Sequence, residues 1–516
     1  MAKTACSQAP NQNSNPPKVQ AVKDWPMLGG SPSRNLVNLV DKKLPTTWDL
    51  ASKKNIKWVT KLGSQSYGGP TIADGKIFVG TNNQHPRNPR DIEKPKRVGD
   101  GLIASDKGIL LCFRESDGHF LWQAVHDKLP SGMVNDWPEQ GIASTPCVES
   151  KRLYYVSNRC ELICADTEGF ANGNQGIQDE LHQGPMDVDI LWKLDMIKEL
   201  GVFPHNLAAS SPLIVGDLVY VVTGNGHDES HARLPAPKAP SFLAVNKSTG
   251  KVVWLDNSPG QNIMHGQWSS PTYAVVAGRP QVIFPGGDGW LRSFEPLAGK
   301  LLWKFDCNPK SSVYLLGGRG DRNDFIAPAV AYDSKIYIAV GQDPEHGDGV
   351  GHLWCIDPAK ANANNIDLTP INDNFDPLAP ENKQSGLVWH LGGVRAGTDP
   401  KQGEFLFRRS LSFCAIHDGL CFVADLAGYV HCVDARTGQR YWEYDTLAAI
   451  WGAPLWVDNK IYLGTDDGDV FVFAAGRACR LIAKNEMDSA VPGTAVAANG
   501  VLYVKTKSNL YAIVEP

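Results

Sequence analysis

Four absences narrow the reading of this 516-residue chain. No apolar run reaches the ~18 residues that a membrane-spanning helix needs. A basic excess is missing too: 50 Lys and Arg stand against 55 Asp and Glu, for a net charge of −5. A general nucleic-acid surface needs the opposite balance, because its affinity comes from cationic side chains that neutralise phosphates. No two cysteines are neighbours and no Cys-x-x-Cys-His occurs. That removes an adjacent-cysteine disulfide and a covalently attached c-type haem. Nor does any His, Asp or Cys spacing match a strong zinc or EF-hand pattern.

Residues 1–22, "MAKTACSQAPNQNSNPPKVQAV", are polar and lack the apolar core of a signal peptide. They are expected to form a disordered polar tail. A sharper alternative makes Thr4-Ala5-Cys6 the end of a lipoprotein signal, with Cys6 as a lipid-bearing membrane tether. Residues 23–516 are expected to form one folded body.

What the chain has in quantity is glycine and proline, 50 and 35 residues. With 42% hydrophobic residues, this suits many short strands joined by tight turns. One phrase recurs: "FRESDGHFLW" (113–122), "VNKSTGKVVW" (245–254), "FEPLAGKLLW" (294–303) and "VDARTGQRYW" (433–442), each with Gly four residues before Trp. Around it a four-part unit appears eight times. A lead-in of small residues, often with Pro, runs into a first strand that ends at a pair such as Asp74-Gly75 or Asn499-Gly500, which suits a two-residue hairpin turn. An apolar second strand follows. The third has a small residue in a fixed column: Cys112, Cys164, Ala244, Ser293, Cys355, Cys432, Val472 and Ala512. Four of the eleven cysteines are therefore read as small buried hydrophobes. The fourth strand carries Trp122, Trp192, Trp254, Trp303, Trp389 or Trp442, and unit seven offers Leu481 or Ile482 there.

Four antiparallel strands repeated eight times predict an all-β, eight-bladed β-propeller. The last unit ends before its Trp strand. The segment "NIKWVTKL" (55–62), with Trp58, is expected to close that blade from the other end of the chain and remove two free sheet edges.

The phrase Asp/Asn-x-x-Thr-Gly-x-x-x-Trp at 434–442 and 246–254 resembles the tryptophan-docking motif of pyrroloquinoline quinone (PQQ) propellers, over roughly residues 55–516. That family includes PQQ-dependent alcohol dehydrogenases and cofactor-free relatives such as the outer-membrane assembly propeller lipoprotein. The resemblance implies an extracytoplasmic, periplasmic or cell-envelope, location and indole rings that dock blade on blade. For the dehydrogenases it implies PQQ, Ca²⁺ and a carboxylate base. "TGNG" (223–226) is similar to their metal-binding loop and would make Asn225 a Ca²⁺ ligand. "LPAPKAPSFLAV" (234–245) has no acid where the base is expected. Asp324 is the one rim carboxylate that offers itself, and it does not occupy the family's position.

Two readings follow. In the first, the chain is a non-catalytic scaffold that binds a protein partner or a small polar ligand on its long-loop rim and axial funnel. In the second it is a PQQ- and Ca²⁺-dependent dehydrogenase of alcohols or sugars. The lead-ins should bring Tyr67, Gln140, Asn206, Gln267, Asn323, Arg408, Arg409 and Trp451 toward the axis; of these Gln140, Asn206, Gln267, Arg408 and Trp451, with Asn225, are the ligand candidates. Amides, an aromatic and two Arg there suit an anionic or sugar-like ligand. Long loops are expected at 81–108, 224–240 and 341–352. Asn225 and His227, with Asp343, His346 and His352, are candidate metal ligands; Asp228, His231, Glu345 and Asp348 stand beside them. The alternative for these loops is that their Asp and His only satisfy turn backbone. Residues 170–188 and 358–385 read as surface excursions in units two and five.

Overall fold

The turn pairs read from the sequence sit where they need positive φ: Asp74 and Gly75 at 51° and 72°, Asp418 and Gly419 at 49° and 73°, Asn499 and Gly500 at 54° and 77°. In the computed structural model, which describes residues 24–93, 103–313, 315–318, 320–370, 383–395, 397 and 404–515, each pair closes a hairpin. Residues 1–22 and Cys6 lie outside the described residues, as do 94–102 and 371–382 of the long loop of blade one and the excursion of blade five.

Eight antiparallel four-stranded sheets result, with a fifth short strand added to one of them. Blade one is Thr71–Ala73, Lys76–Asn82, Lys107–Arg114 and Phe120–Asp127. The first strands of blades one to five touch in succession, as do those of blades six and seven, so the first strands are innermost and the sheets radiate from an axis. The last blade is closed by Ile56–Lys61, paired antiparallel to Asn509–Ile513. Sequence and structure agree on an eight-bladed propeller with this closure.

The small-residue column faces the Trp column in register: Cys112 opposite Trp122, Cys164 opposite Trp192, Ala244 opposite Trp254, Cys355 opposite Trp389, Ala512 opposite Trp58. A bulge follows the column position in blades one to seven and turns the indole out of its sheet. Nine of the ten described cysteines are buried and all ten are free.

The docking phrase then explains itself. Indole N–H groups of Trp58, Trp192, Trp254, Trp389 and Trp442 each donate to a carbonyl of the following blade, at 2.8–3.1 Å. The phrase's glycine makes room for the ring. A Cβ on Gly118, Gly250, Gly299 or Gly438 would lie 2.6–2.7 Å from the indole of the preceding blade. These glycines also hold φ of 66–75°, so both sterics and backbone select Gly.

Two junctions depart from this pattern. Trp303 donates instead to Gln281 Oε1 in its own blade, because the excursion after Ile356 replaces the Thr-Gly turn that would receive it. In blade seven the residue opposite Val472 is Ala483, not Leu481 or Ile482, both of which are exposed. No side chain in that strand fills the gap. The N-terminal segment does so: Trp48 is buried, its backbone N–H donates to Asn485 Oδ1 while its indole N–H meets Met487 Sδ, and Tyr462 donates to the carbonyls of Leu44 and Pro45.

The excursions have a clear placement. Ile366–Leu368 bonds both ways with Lys304, and Met186–Val188 with Gln123, so each adds a parallel bridge to the outer strand of the preceding blade. Such cover protects an otherwise open sheet edge.

Residues 24–41 cross the axis as a plug. Trp25 exchanges two backbone bonds with Ile72, and Pro26, Pro32 and Ser33 accept from Val148, Tyr273 and Ala331. Asn35 pairs through its amide with Ile416, Val37–Asn38 pairs parallel with Trp456–Val457, and Asn38 donates to Ala497. Arg34, fully buried, reaches Ser211, Pro212 and Pro271. This one stretch therefore holds the inner face of all eight blades.

Candidate functional site

The lead-ins that start each blade also build the channel wall. Their Ser and Thr hydroxyls bond from blade to blade: Gly69 N to Thr145 Oγ1 at 2.8 Å, Thr145 N to Ser211 Oγ at 3.0 Å, Ser211 N to Ser270 Oγ at 2.9 Å. The wall is thus held by short polar residues tied into the ring, which leaves neighbouring positions free to face the axis.

With the plug as floor, the channel becomes a funnel of about 340 Å³, within the range of small-molecule sites. Trp25, Leu28 and Leu36 of the plug close it below. Tyr67, Gln140, Asn206, Trp268, Phe413 and Trp451 stand on its walls, and Trp137, Asp343 and Glu345 at its lip. The Tyr67 and Trp451 rings are stacked, 6.0 Å apart and 23° from parallel. Gln140 hydrogen-bonds the Tyr67 side chain, whose hydroxyl burial holds above its usual titration range. Burial also raises Asp343, which accepts from Glu345 N at 2.9 Å. Among the described residues no Lys, Arg or His lines the funnel.

The ligand candidates read from the sequence are split. Gln140, Asn206 and Trp451, with Tyr67, meet in the funnel. Gln267 is buried in packing, its amide given to Asn225 O and Ser241 Oγ. Arg408 lies over the Tyr429 ring at 4.2 Å. Arg409 bonds Asn323 Oδ1 and the His346 carbonyl, and Asn323 is itself wholly buried. Two Arg near the axis favoured an anion; with both engaged elsewhere, that charge is absent from the funnel wall.

The metal candidates are split as well. Asn225 is wholly buried; its Oδ1 accepts from Phe203 N at 3.0 Å and its Nδ2 donates to Ala236 O at 2.9 Å. His227 Nε2 meets the Ile263 carbonyl at 3.1 Å. Asp343 stands at the funnel lip, with Glu345, while Asp348 is exposed. His352 is buried against Trp354 and bonds His390 at 3.0 Å. Asp228 caps its own turn through Ser230, at 2.6 Å. Asp324 is buried beside the funnel wall with Oδ1 unpartnered, and burial with the nearby Asp343 pushes its carboxyl well up.

His346 and His231 instead approach two histidines that spacing did not single out, His205 and His265. The signal was there: "FPHNLAASSP" and "MHGQWSSP" place a His shortly before Ser-Ser-Pro in successive lead-ins. Burial among neighbouring rings lowers His205 to about 4 and His265 to about 2, so both are neutral at physiological pH.

The geometry fits PQQ poorly. That quinone carries three carboxylates, whereas the charged groups that line the funnel are Asp343 and Glu345 at its lip. Asn225, the residue expected on its Ca²⁺, has its amide fully engaged by backbone.

A family model described as outer membrane protein assembly factor BamB matches residues 189–307 and 385–515. Among solved structures, quinohemoprotein alcohol dehydrogenase from Comamonas testosteroni is similar with a TM-score of 0.60 at 12% identity, over 96% of this chain and 81% of that one. BamB from Moraxella catarrhalis is similar at TM-score 0.46 and 16% identity, over 84% of this chain and 97% of that one. A 1-butanol dehydrogenase (cytochrome c) from Thauera butanivorans is 41% identical over 56 residues, which is 10% of this chain and 8% of that protein. The chain thus matches under a tenth of that dehydrogenase's length.

Proposed function

We propose that this β-propeller, matched over residues 189–307 and 385–515 by the family model of an outer-membrane assembly factor, is a member of the PQQ-like family that acts as a non-catalytic, extracytoplasmic binding protein. Its axial funnel takes a small polar ligand that carries no negative charge. The observation that carries this reading is the stacked Tyr67–Trp451 platform beside two carboxylates, over a sealed floor. An aromatic face binds the flat apolar side of a sugar ring, or a cationic head group by its π-electrons. Gln140 and Asn206 supply donors and acceptors for hydroxyl or amine groups. Trp25, Leu28 and Leu36 of the plug supply an apolar floor, and the hydroxyl relay ties the wall into the ring. Extracytoplasmic placement is supported by the matched family, described as an outer-membrane assembly factor.

The fold likeness to an alcohol dehydrogenase favours a second reading, catalysis with PQQ and Ca²⁺. Against it stand the two carboxylates at the funnel lip and the engaged amide of Asn225. A titration of the full chain separates the two. Trp fluorescence is followed against neutral sugars, quaternary and primary amines, and PQQ with Ca²⁺. Saturable binding of a sugar or an amine, weakened at least ~10-fold in Trp451→Ala, is the expected result. Tight one-to-one PQQ binding with alcohol-dependent dye reduction overturns the proposal.

A further inference from the structure

Outside the funnel, where the lead-ins of blades three and four meet the 224–240 loop, three imidazoles converge. One nitrogen from each of His205, His231 and His265 lies within 4.8 Å of the other two. The Nε2 atoms of His205 and His231 are 3.1 Å apart. His205 Nδ1 lies 2.9 Å from the His227 carbonyl, which can only accept. The proton of this neutral ring therefore sits on Nδ1, and the Nε2 lone pair points into the cluster. A backbone carbonyl on the far nitrogen is how proteins orient a ligating imidazole.

His265 supplies the second, independent observation. It is 3% exposed, and neither ring nitrogen has a hydrogen-bond partner. A buried polar ring left wholly unpaired is unfavourable and calls for something that binds it. The backbone has been brought close to make the cluster. A Cβ on Gly226 would stand 2.7 Å from His205 Cβ, and one on Gly317 would stand 2.9 Å from His231 Cβ.

We infer that His205, His231 and His265 form a site for one late first-row divalent metal ion, of the Zn²⁺ or Cu²⁺ class. Three imidazole nitrogens suit these ions and not Ca²⁺ or Mg²⁺, which take oxygen. Metal–nitrogen bonds of about 2.0–2.1 Å in a tetrahedral site set the nitrogens roughly 3.3 Å apart, so the His205–His231 pair is already near that spacing and the wider pairs need to close by up to roughly 1.5 Å. His231, on a partly exposed loop, has the freedom to make that movement. A fourth imidazole, His346, stands beside the cluster, its ring centre 5.3 Å from that of His265. Asp343 and Asp228 add a favourable field for a cation. The cluster adjoins the funnel through Asn206, Trp268 and Asp343, but it does not rest on the ligand proposed there.

The test uses the full chain, stripped with a chelator and titrated calorimetrically with Zn²⁺ and separately with Cu²⁺. The Cu²⁺ form is then examined by electron paramagnetic resonance. One equivalent per chain, with nitrogen couplings in the Cu²⁺ spectrum and a raised melting temperature, is expected. His231→Ala, on its loop, keeps the metal-free melting temperature and weakens binding about 100-fold or more. His265→Ala does the same, while the exposed His119→Ala leaves the equivalent intact. The assignment is overturned by the absence of a stoichiometric site, by unchanged affinity in His231→Ala, or by a spectrum with oxygen donors alone. If His265→Ala fails to fold, His231→Ala decides alone.

Discussion

Arg34 is fully buried, and no carboxylate receives its charge among the described residues; its guanidinium donates to Leu28, Ser211, Pro212 and Pro271 carbonyls at 2.9–3.1 Å. Three of those bonds tie the plug to blades three and four. Charge-assisted bonds of this kind are worth about 2 kcal/mol each, so about 6 kcal/mol in all. Burial works against them: it depresses the Arg34 pKa from 12.5 to about 10, a penalty of about 3 kcal/mol. Arg34→Met fills similar volume without the burial penalty, and should loosen the plug by the difference, about 3 kcal/mol. Amide exchange measured by mass spectrometry should then rise roughly 150-fold across residues 24–41. The outer strands of blades three and four should exchange as before. Arg34→Lys keeps the charge but loses the planar fork, and should fall between. The reasoning is refuted if exchange in 24–41 is unchanged, which would mean that the backbone bridges hold the plug alone. It is refuted equally by a rise of the same size in every blade, since Arg34 would then be an element of the whole core.

Three further perturbations follow from particular contacts. Gly438→Ala should lower the melting temperature well beyond Gly419→Ala: both sit at φ near +75°, costing about 1–2 kcal/mol for a side chain, but only at Gly438 does the added carbon meet Trp389, at 2.7 Å. Lys505 is buried and held at about 7, its Nζ on the Ser66 carbonyl; since the unfolded chain binds more protons between that value and about 10.4, stability should rise with pH over this window, and Lys505→Met should abolish the rise and stabilise the protein by up to about 4 kcal/mol below pH 7, read from denaturation at pH 6 and 9. His126 is kept neutral by burial, at about 3; its folded value lies below the unfolded ~6.5, so stability falls as pH drops through that range, by about 2 kcal/mol at pH 5, and His126→Gln should flatten this limb of the pH–melting curve.

The fold was legible because its determinants are local and repeated. A turn pair, a small residue and a Trp recur at fixed offsets, and each reports a contact within one blade or with the next. The small column opposite the Trp column, the glycine under the indole and the closing strand at 56–61 are all of this kind. The misreading of blade seven came from seeking a large side chain in its own outer strand, when the filling residue, Trp48, comes from far earlier in the sequence. The plug was invisible for a related reason. Residues 24–41 have no period, because each residue meets a different blade, so nothing in their sequence repeats. At the site, Tyr67, Gln140, Asn206 and Trp451 could be read from their place in the lead-ins. Gln267 and Asn225 could not be told from them, since whether an amide faces a channel or braces a loop depends on which backbone groups need partners.

The lead-ins do two tasks that can vary separately. Their Ser, Thr and Pro positions hold the ring: Thr145, Ser211 and Ser270 accept backbone N–H groups of the preceding blade, and Thr71 and Thr272 donate to carbonyls of the next at 2.6 Å. These contacts use backbone on one side, so they constrain only size and a hydroxyl. Positions a few residues upstream face the funnel or cluster beside it: Tyr67 and Trp451 in its lining, His205 and His265 in the buried imidazole group. A substitution upstream changes what is bound and leaves the ring's ties intact. A propeller built this way can keep every docking contact while its ligand changes, so funnel residues have to be argued from their own geometry. On that basis exchanging Trp451 should alter binding with little change in melting temperature, and exchanging Trp389, which clasps blade six through Ala435 O, should do the reverse.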